Sequence, residues 1–173
     1  MTETLHDAET LGSFVGGAVA LVLLCTPTSS KALPAIGRLQ SNTSQCSYVD
    51  TSGTNHRCNQ LQLDRKTDTV MRLRFLGEAN SNGATHSLTF VTVDAAQSIP
   101  MDCEQGHCRL NGRSWTGAVM GAAEALMNQL GLAEGLPKAW SARGSCTIDQ
   151  QRISCKASAS NGSELMAEAS LKP

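Results

Sequence analysis

The chain has 173 residues, 40% of them apolar and 17% charged, with a formal net charge of −1. That length and apolar content suit one modest core preceded by a short leading segment. Near-neutral charge without any run of like charge argues against capture of nucleic acid, and aromatics at 3% leave the core to Leu, Val, Ile, Met and Ala.

Residues 14–25, FVGGAVALVLLC, form the first recognisable element, an apolar run. It is shorter than the roughly 20 residues that a membrane-spanning helix needs and matches the core of a signal peptide. Ala32 and Ala35 offer small-residue cleavage positions. The preceding MTETLHDAE is acidic where a secretory signal is basic, so an uncleaved N-terminal anchor is the competing expectation. Leu24, directly before Cys25, speaks against a lipoprotein signal. The organisation expected is a signal peptide or anchor over 1–35, a flexible leader over 36–44 and a single exported β-rich domain over 45–173.

Cysteine parity supports export. The sequence holds 7 cysteines, and setting Cys25 aside leaves Cys46, Cys58, Cys103, Cys108, Cys146 and Cys155. Such a set in a short mature chain fits an oxidising compartment, so the location expected is secreted, periplasmic or cell surface. Loss of residues 1–35 removes Glu3, Asp7, Glu9 and Lys31, which leaves the mature chain near neutral.

Hairpin geometry ranks the possible bridges. In CSYVDTSGTNHRC a three-residue loop, Thr51-Ser52-Gly53, sets Cys46 opposite Cys58. Next, VMRLRFLGEANSNGATHSLTFVTVD holds two β-rich runs around Asn82-Gly83, a type I′ turn signal that places Phe75 opposite Phe90. Leu73, Phe75, Leu88 and Phe90 then share the core face, and Arg72 and Arg74 point away. In DCEQGHC a turn at Gln105-Gly106 pairs Glu104 with His107 and Cys103 with Cys108.

The segment TGAVMGAAEALMNQLGLAEGLP breaks the pattern. Its Val119, Ala122, Ala123, Leu126, Met127 and Leu130 recur at helical spacing, with Thr116 as a cap and Gly131 as a stop. One helix is therefore expected over about 117–130, although Gly117 and Gly121 leave a strand open. In SCTIDQQRISC a turn at Gln150-Gln151 pairs Cys146 with Cys155 and Ile148 with Ile153 on one apolar face. ASASNGSELMAEASL turns at Asn161-Gly162 and returns as a last strand. The fold class expected is β-rich, all-β to α+β: a small antiparallel sheet of disulfide-stapled hairpins with that one helix.

Chemistry is harder to find. No CxxC pair array, Gly-x-Ser-x-Gly elbow, His-Glu-x-x-His or phosphate-cradling glycine loop occurs. His56 and His107 are the histidines a metal site would need, yet adjacent His107 and Cys108 face opposite ways in a strand. Glu104 beside Cys103 raises rather than lowers a thiol pKa, which disfavours redox work. No catalytic, metal or cofactor-binding residue is assigned, and no cofactor is expected. Tyr48, Trp115 and Trp140 are the aromatic candidates for a carbohydrate platform, each read first as a core residue. Pro137, Lys138, Trp140 and Arg143 form a candidate binding loop leading into the last stapled hairpin.

The function expected is a non-catalytic binding or envelope-associated module with a protein or cell-envelope partner. Neither nucleic acid nor, after signal cleavage, a membrane span enters that reading. A small secreted hydrolase with an unrecognised site is the alternative, and a protease-inhibitor-like module using residues 137–143 the third.

Overall fold

Ten strands make up the fold, and hairpin turns join most of them. They are β1 (Gly37–Val49), β2 (Asn55–Arg65), β3 (Val70–Ala79), β4 (Thr85–Val93), β5 (Met101–Glu104), β6 (Gly106–Leu110), β7 (Trp115–Met127), β8 (Ala133–Asp149), β9 (Arg152–Ala159) and β10 (Glu164–Leu171). The computed structural model describes residues 36–93 and 100–172, all within the unit Leu33–Pro173. The signal peptide or anchor expected over 1–35 lies outside the described residues.

Strands β1, β2, β3, β4, β7, β8, β9 and β10 run antiparallel in sequence order, and β10 pairs back onto β1. The result is a closed eight-stranded barrel, an architecture that removes free sheet edges. The β5–β6 hairpin is inserted between β4 and β7, and β6 runs parallel to the start of β1 through Gly37–Gly106 and Arg38–His107. Met101 and Cys108 from this hairpin join the barrel core, and Arg65 Nη1 donates to the Met101 carbonyl at 3.1 Å. That end of the barrel therefore draws part of its core from the hairpin. The turns β1–β2, β3–β4, β7–β8 and β9–β10 gather at the other end, here called the mouth.

The core fills by complementing large residues with small ones. Leu61, Leu63, Met71, Leu73, Phe75, Leu88 and Phe90 line the β2–β4 wall, and Ala122, Ala142, Ala157, Ala159, Ala167 and Ala169 line the β7–β10 wall. An eight-stranded barrel has just enough interior for such a packed filling. Outward positions are polar: Arg38, Asp64 and Arg72 form one cross-strand rung, and Gln40, Gln62, Arg74 and Thr89 the next. This is the reverse of outer-membrane barrels, which carry an apolar band outside. Among the described residues no helix is long and apolar enough to cross a membrane.

Three expectations need correction. The helix over 117–130 is instead strand β7 and the following turn. Along β7 the inward positions are Trp115, Gly117, Val119, Ala122 and Glu124, and the strand must pair with both β4 and β8 to close the barrel. A Cβ on Gly117 would come within 2.2 Å of the Trp115 ring, so the glycine makes room for that ring rather than weakening a helix. Second, the stretch 36–44 is no loose leader, because β1 begins at Gly37 and pairs with β2 from its first residue. Third, Phe75 faces Leu88, and Leu73 faces Phe90. The β3–β4 turn carries one loop residue more than a type I′ turn, and a bulge lies between Leu76 and Ala79. Together they shift the register by two, which keeps every side chain on its expected face.

The three disulfides join Cys46 to Cys58, Cys103 to Cys108 and Cys146 to Cys155. Cys103–Cys108 and Cys146–Cys155 face one another in register with Cα separations of 4.0 and 4.1 Å. All three brace adjacent strands, and they fit an oxidising setting outside the cytosol.

Candidate functional site

The mouth is built from one repeated turn. At Asp50, Asn80, Asn128 and Ala159 the backbone N–H donates to the carbonyl four residues on, and the N–H three residues on donates back. Each loop carries a left-handed glycine at its third position, Gly53, Gly83, Gly131 or Gly162. The Asn80 side chain accepts from the Asn82 and Ala84 amides, and Asn128 accepts from Leu130 and Leu132. Asp50 Oδ1 does the same for Ser52 and Thr54. An amide suffices for this task at two turns, so the negative charge of Asp50 exceeds what the turn requires.

Its second oxygen explains the difference. Asp50 Oδ2 lies 2.7 Å from His56 Nε2, with Asp50 buried. Burial alone would raise the Asp50 pKa, but hydrogen bonds from Ser52, His56 and Thr54 outweigh it and bring the carboxyl down to about 2. His56 is the register partner of inward-facing Tyr48, and the two rings stack at 5.0 Å. His86, at the inward start of β4, stacks on His56 at 4.8 Å.

The Tyr48 hydroxyl lies 2.8 Å from His86 Nδ1 and 3.1 Å from the His86 carbonyl oxygen. Burial, then the charges of Asp50 and Glu124, push the phenol pKa up, so Tyr48 keeps its proton and donates it to the His86 carbonyl. His86 Nε2 faces Glu124 Oε2 at 4.0 Å. Burial and then the neighbouring His56 lower the His86 pKa, with Lys138 adding to this and Glu124 and Asp50 opposing it. Glu124 itself is buried on the inward face of β7, and its Oε1 accepts from the Thr51 amide at 2.6 Å. The carboxylate thereby ties β7 to the β1–β2 turn. Gly77 leaves space for the Tyr48 hydroxyl, since a Cβ there would lie 3.1 Å from it.

This cluster couples four strands through ionisable groups. A hydrolytic relay is not what it builds. Ser52 Oγ donates to Asp50 at 2.6 Å, so the serine is bonded to the acid and not to an imidazole that would take its proton. Among the described residues no group of three or more His, Cys, Asp and Glu is arranged to hold a metal ion.

The candidate residues of the sequence separate in space. His56 and Tyr48 belong to the mouth, whereas His107 sits on the β5–β6 hairpin at the opposite end. Trp115 is buried in the core, and Trp140 is half-buried against it. Pro137, Lys138, Trp140 and Arg143 lie within strand β8, not in a loop. Lys138 faces Glu124 across the β7–β8 ladder and Trp140 faces Ala122, both on the inward side at the mouth. Between the Leu126–Glu134 and Glu124–Lys138 rungs, β8 carries a bulge containing Gly135, Leu136 and Pro137. Gly135 has φ of 79°, and Leu136 is 96% exposed. The β8–β9 ladder ends at Ala142–Ala159, with one further bond from the Ser160 amide to the Ser141 carbonyl, so residues 133–140 have strand pairing on the β7 side only.

Sequence reasoning missed Asp50, His86, Glu124 and Leu136. The repeated turn held a signal for the first, because DTSG, NSNG and NQLG share one pattern and only DTSG carries charge. His86 has the same parity as Leu88 and Phe90, which marks it as inward. No known protein family, curated protein or solved structure matches the chain.

Proposed function

We propose that this chain is an exported, disulfide-braced β-barrel that acts by binding, with its contact surface on the β8 side of the mouth. The observation that supports this reading most is Leu136, 96% exposed on a bulge fixed by Gly135 and Pro137. Full exposure of a leucine on a bulge, beside half-buried Trp140 and cationic Lys138, suits an apolar anchor inside a polar rim. The partner that fits is a protein surface with an apolar pocket near acidic groups, located in the extracytosolic space or the cell envelope. The three disulfides support that location. The bulge also bends the edge formed by residues 133–140, which discourages indiscriminate strand addition and favours side-chain recognition.

A photo-crosslinking residue at position 136, compared with one at exposed Ser145 lower on the same strand, tests the reading in producing cells. A discrete adduct formed from position 136 and absent from position 145, recovered outside the cytosol, is the expected result. No adduct, together with ester or peptide turnover that His86→Ala abolishes, would replace binding with the hydrolase alternative.

A further inference from the structure

A second feature lies on the outer wall, away from the mouth cluster. A groove of about 830 Å³ runs along β1–β4 toward the β7–β8 turn, which leans over it. Gln129 of that turn reaches the Asn82 carbonyl and covers Gly83. The lower part of the groove is lined by Arg38, Gln40, Gln62 and Arg74, and the upper part by Leu76, Met127, Leu130 and Leu132.

Arg74 is the unusual residue there. Its guanidinium is half-buried, yet its hydrogen bonds to Thr89 Oγ1 and Gln62 Oε1 are both 3.4 Å, long for such contacts. Among the described residues it forms no ion pair, and Asp64 is held by Arg38. Burial lowers the Arg74 pKa, Asp64 opposes this, and Arg38 and Arg72 add to it. Three arginines thus face one committed aspartate on a chain that is otherwise close to neutral. Above them, Leu130 and Leu132 are 82% and 61% exposed.

We propose that this groove binds one single-chain amphiphile, its carboxylate or phosphate head on Arg74 and its hydrocarbon chain along Leu76, Met127 and Leu132. A guanidinium presents paired donors that match such a head, and the loosely held Gln62 and Thr89 contacts leave those donors available. A simple anion has no use for the upper half of the groove, and a neutral lipid has none for the lower half. Sites of this kind combine an apolar lining with a few placed polar groups.

Calorimetry of the full chain with submicellar decanoate tests the assignment against decanol, acetate and vesicles of anionic phospholipid. The expected result is one decanoate bound per chain, weakened about tenfold or more by Arg74→Gln and several-fold by Leu132→Ser. Decanol, acetate and the vesicles are expected to bind far more weakly. Equal binding of decanol or acetate, binding to vesicles alone, or undiminished decanoate binding in both variants would overturn the proposal. Leu132 is exposed on a turn, so its variant remains informative even if Arg74→Gln perturbs folding.

Discussion

Tyr48, Asp50 and His86 are the mouth residues whose chemistry departs furthest from ordinary surface groups, and their titration has consequences for stability. His86 in the folded barrel has a pKa below its ordinary value of about 6.5, so as the pH falls the unfolded chain takes up that proton first. The stability contributed by the neutral ring is full above about pH 6.5 and is lost as the pH falls toward the folded pKa. Asp50, lowered to about 2 from 3.8, contributes above about pH 3.8 and loses its contribution lower still. Tyr48 runs the other way: its contribution holds below about pH 10 and fades as the pH rises beyond it. Urea midpoints are therefore expected to fall as the pH drops below about 6.5, and His86→Phe is expected to flatten that slope. An unchanged slope in the variant would show that His86 is not the group responsible. Tyr48 stood out in the sequence as an aromatic candidate, and His56 as a histidine that a metal site would need. His86 and Glu124 did not, since they meet Tyr48 and Thr51 across 38 and 73 residues of chain.

Strand β7 shows where local pattern and tertiary demand part. Its run of Ala, Glu, Leu and Met has helical propensity, but propensity is a weak prior when a barrel wall needs small inward residues opposite Leu73, Phe75 and Phe90. The hairpins with alternating large residues were legible because period two was visible in them. In GAVMGAAEALM, alanine and glycine carry too little contrast for either period to dominate. The neighbouring NQLG turn was the better signal, since it repeats the hairpin pattern of DTSG and NSNG. The Asn128 side chain holds two backbone amides there at 2.9 and 3.0 Å. Asn128→Ala is expected to cost about 1 kcal/mol in chemical denaturation, with exchange protection lost first at Leu130 and Leu132. A neutral substitution would mean that Gly131 alone sets the turn. Residues 137–143 were expected as a loop and instead belong to β8, and the exposure of Leu136 depends on a bulge that only the pairing with β7 creates.

Closure organises the whole molecule. Three short disulfides stiffen neighbouring strands, but none links β1 to β10, so the barrel is closed by the β1–β10 ladder and by packing. Long-range closure of this kind leaves no trace in local sequence, which is why hairpins were countable and the barrel was not. The same closure assembles the mouth from four turns and sets β1–β4 side by side as the grooved outer wall. Tyr48 reports on it from a single position. It faces Ala167 in the closing ladder, stacks on His56 of β2 and contacts His86 of β4. The most direct measurement is a set of nuclear Overhauser contacts from Tyr48 in the purified chain. Cross-peaks to Ala167 and to the His56 and His86 rings together are expected. Contacts confined to His56, with none to Ala167 or His86, would contradict a closed barrel with an ionisable mouth.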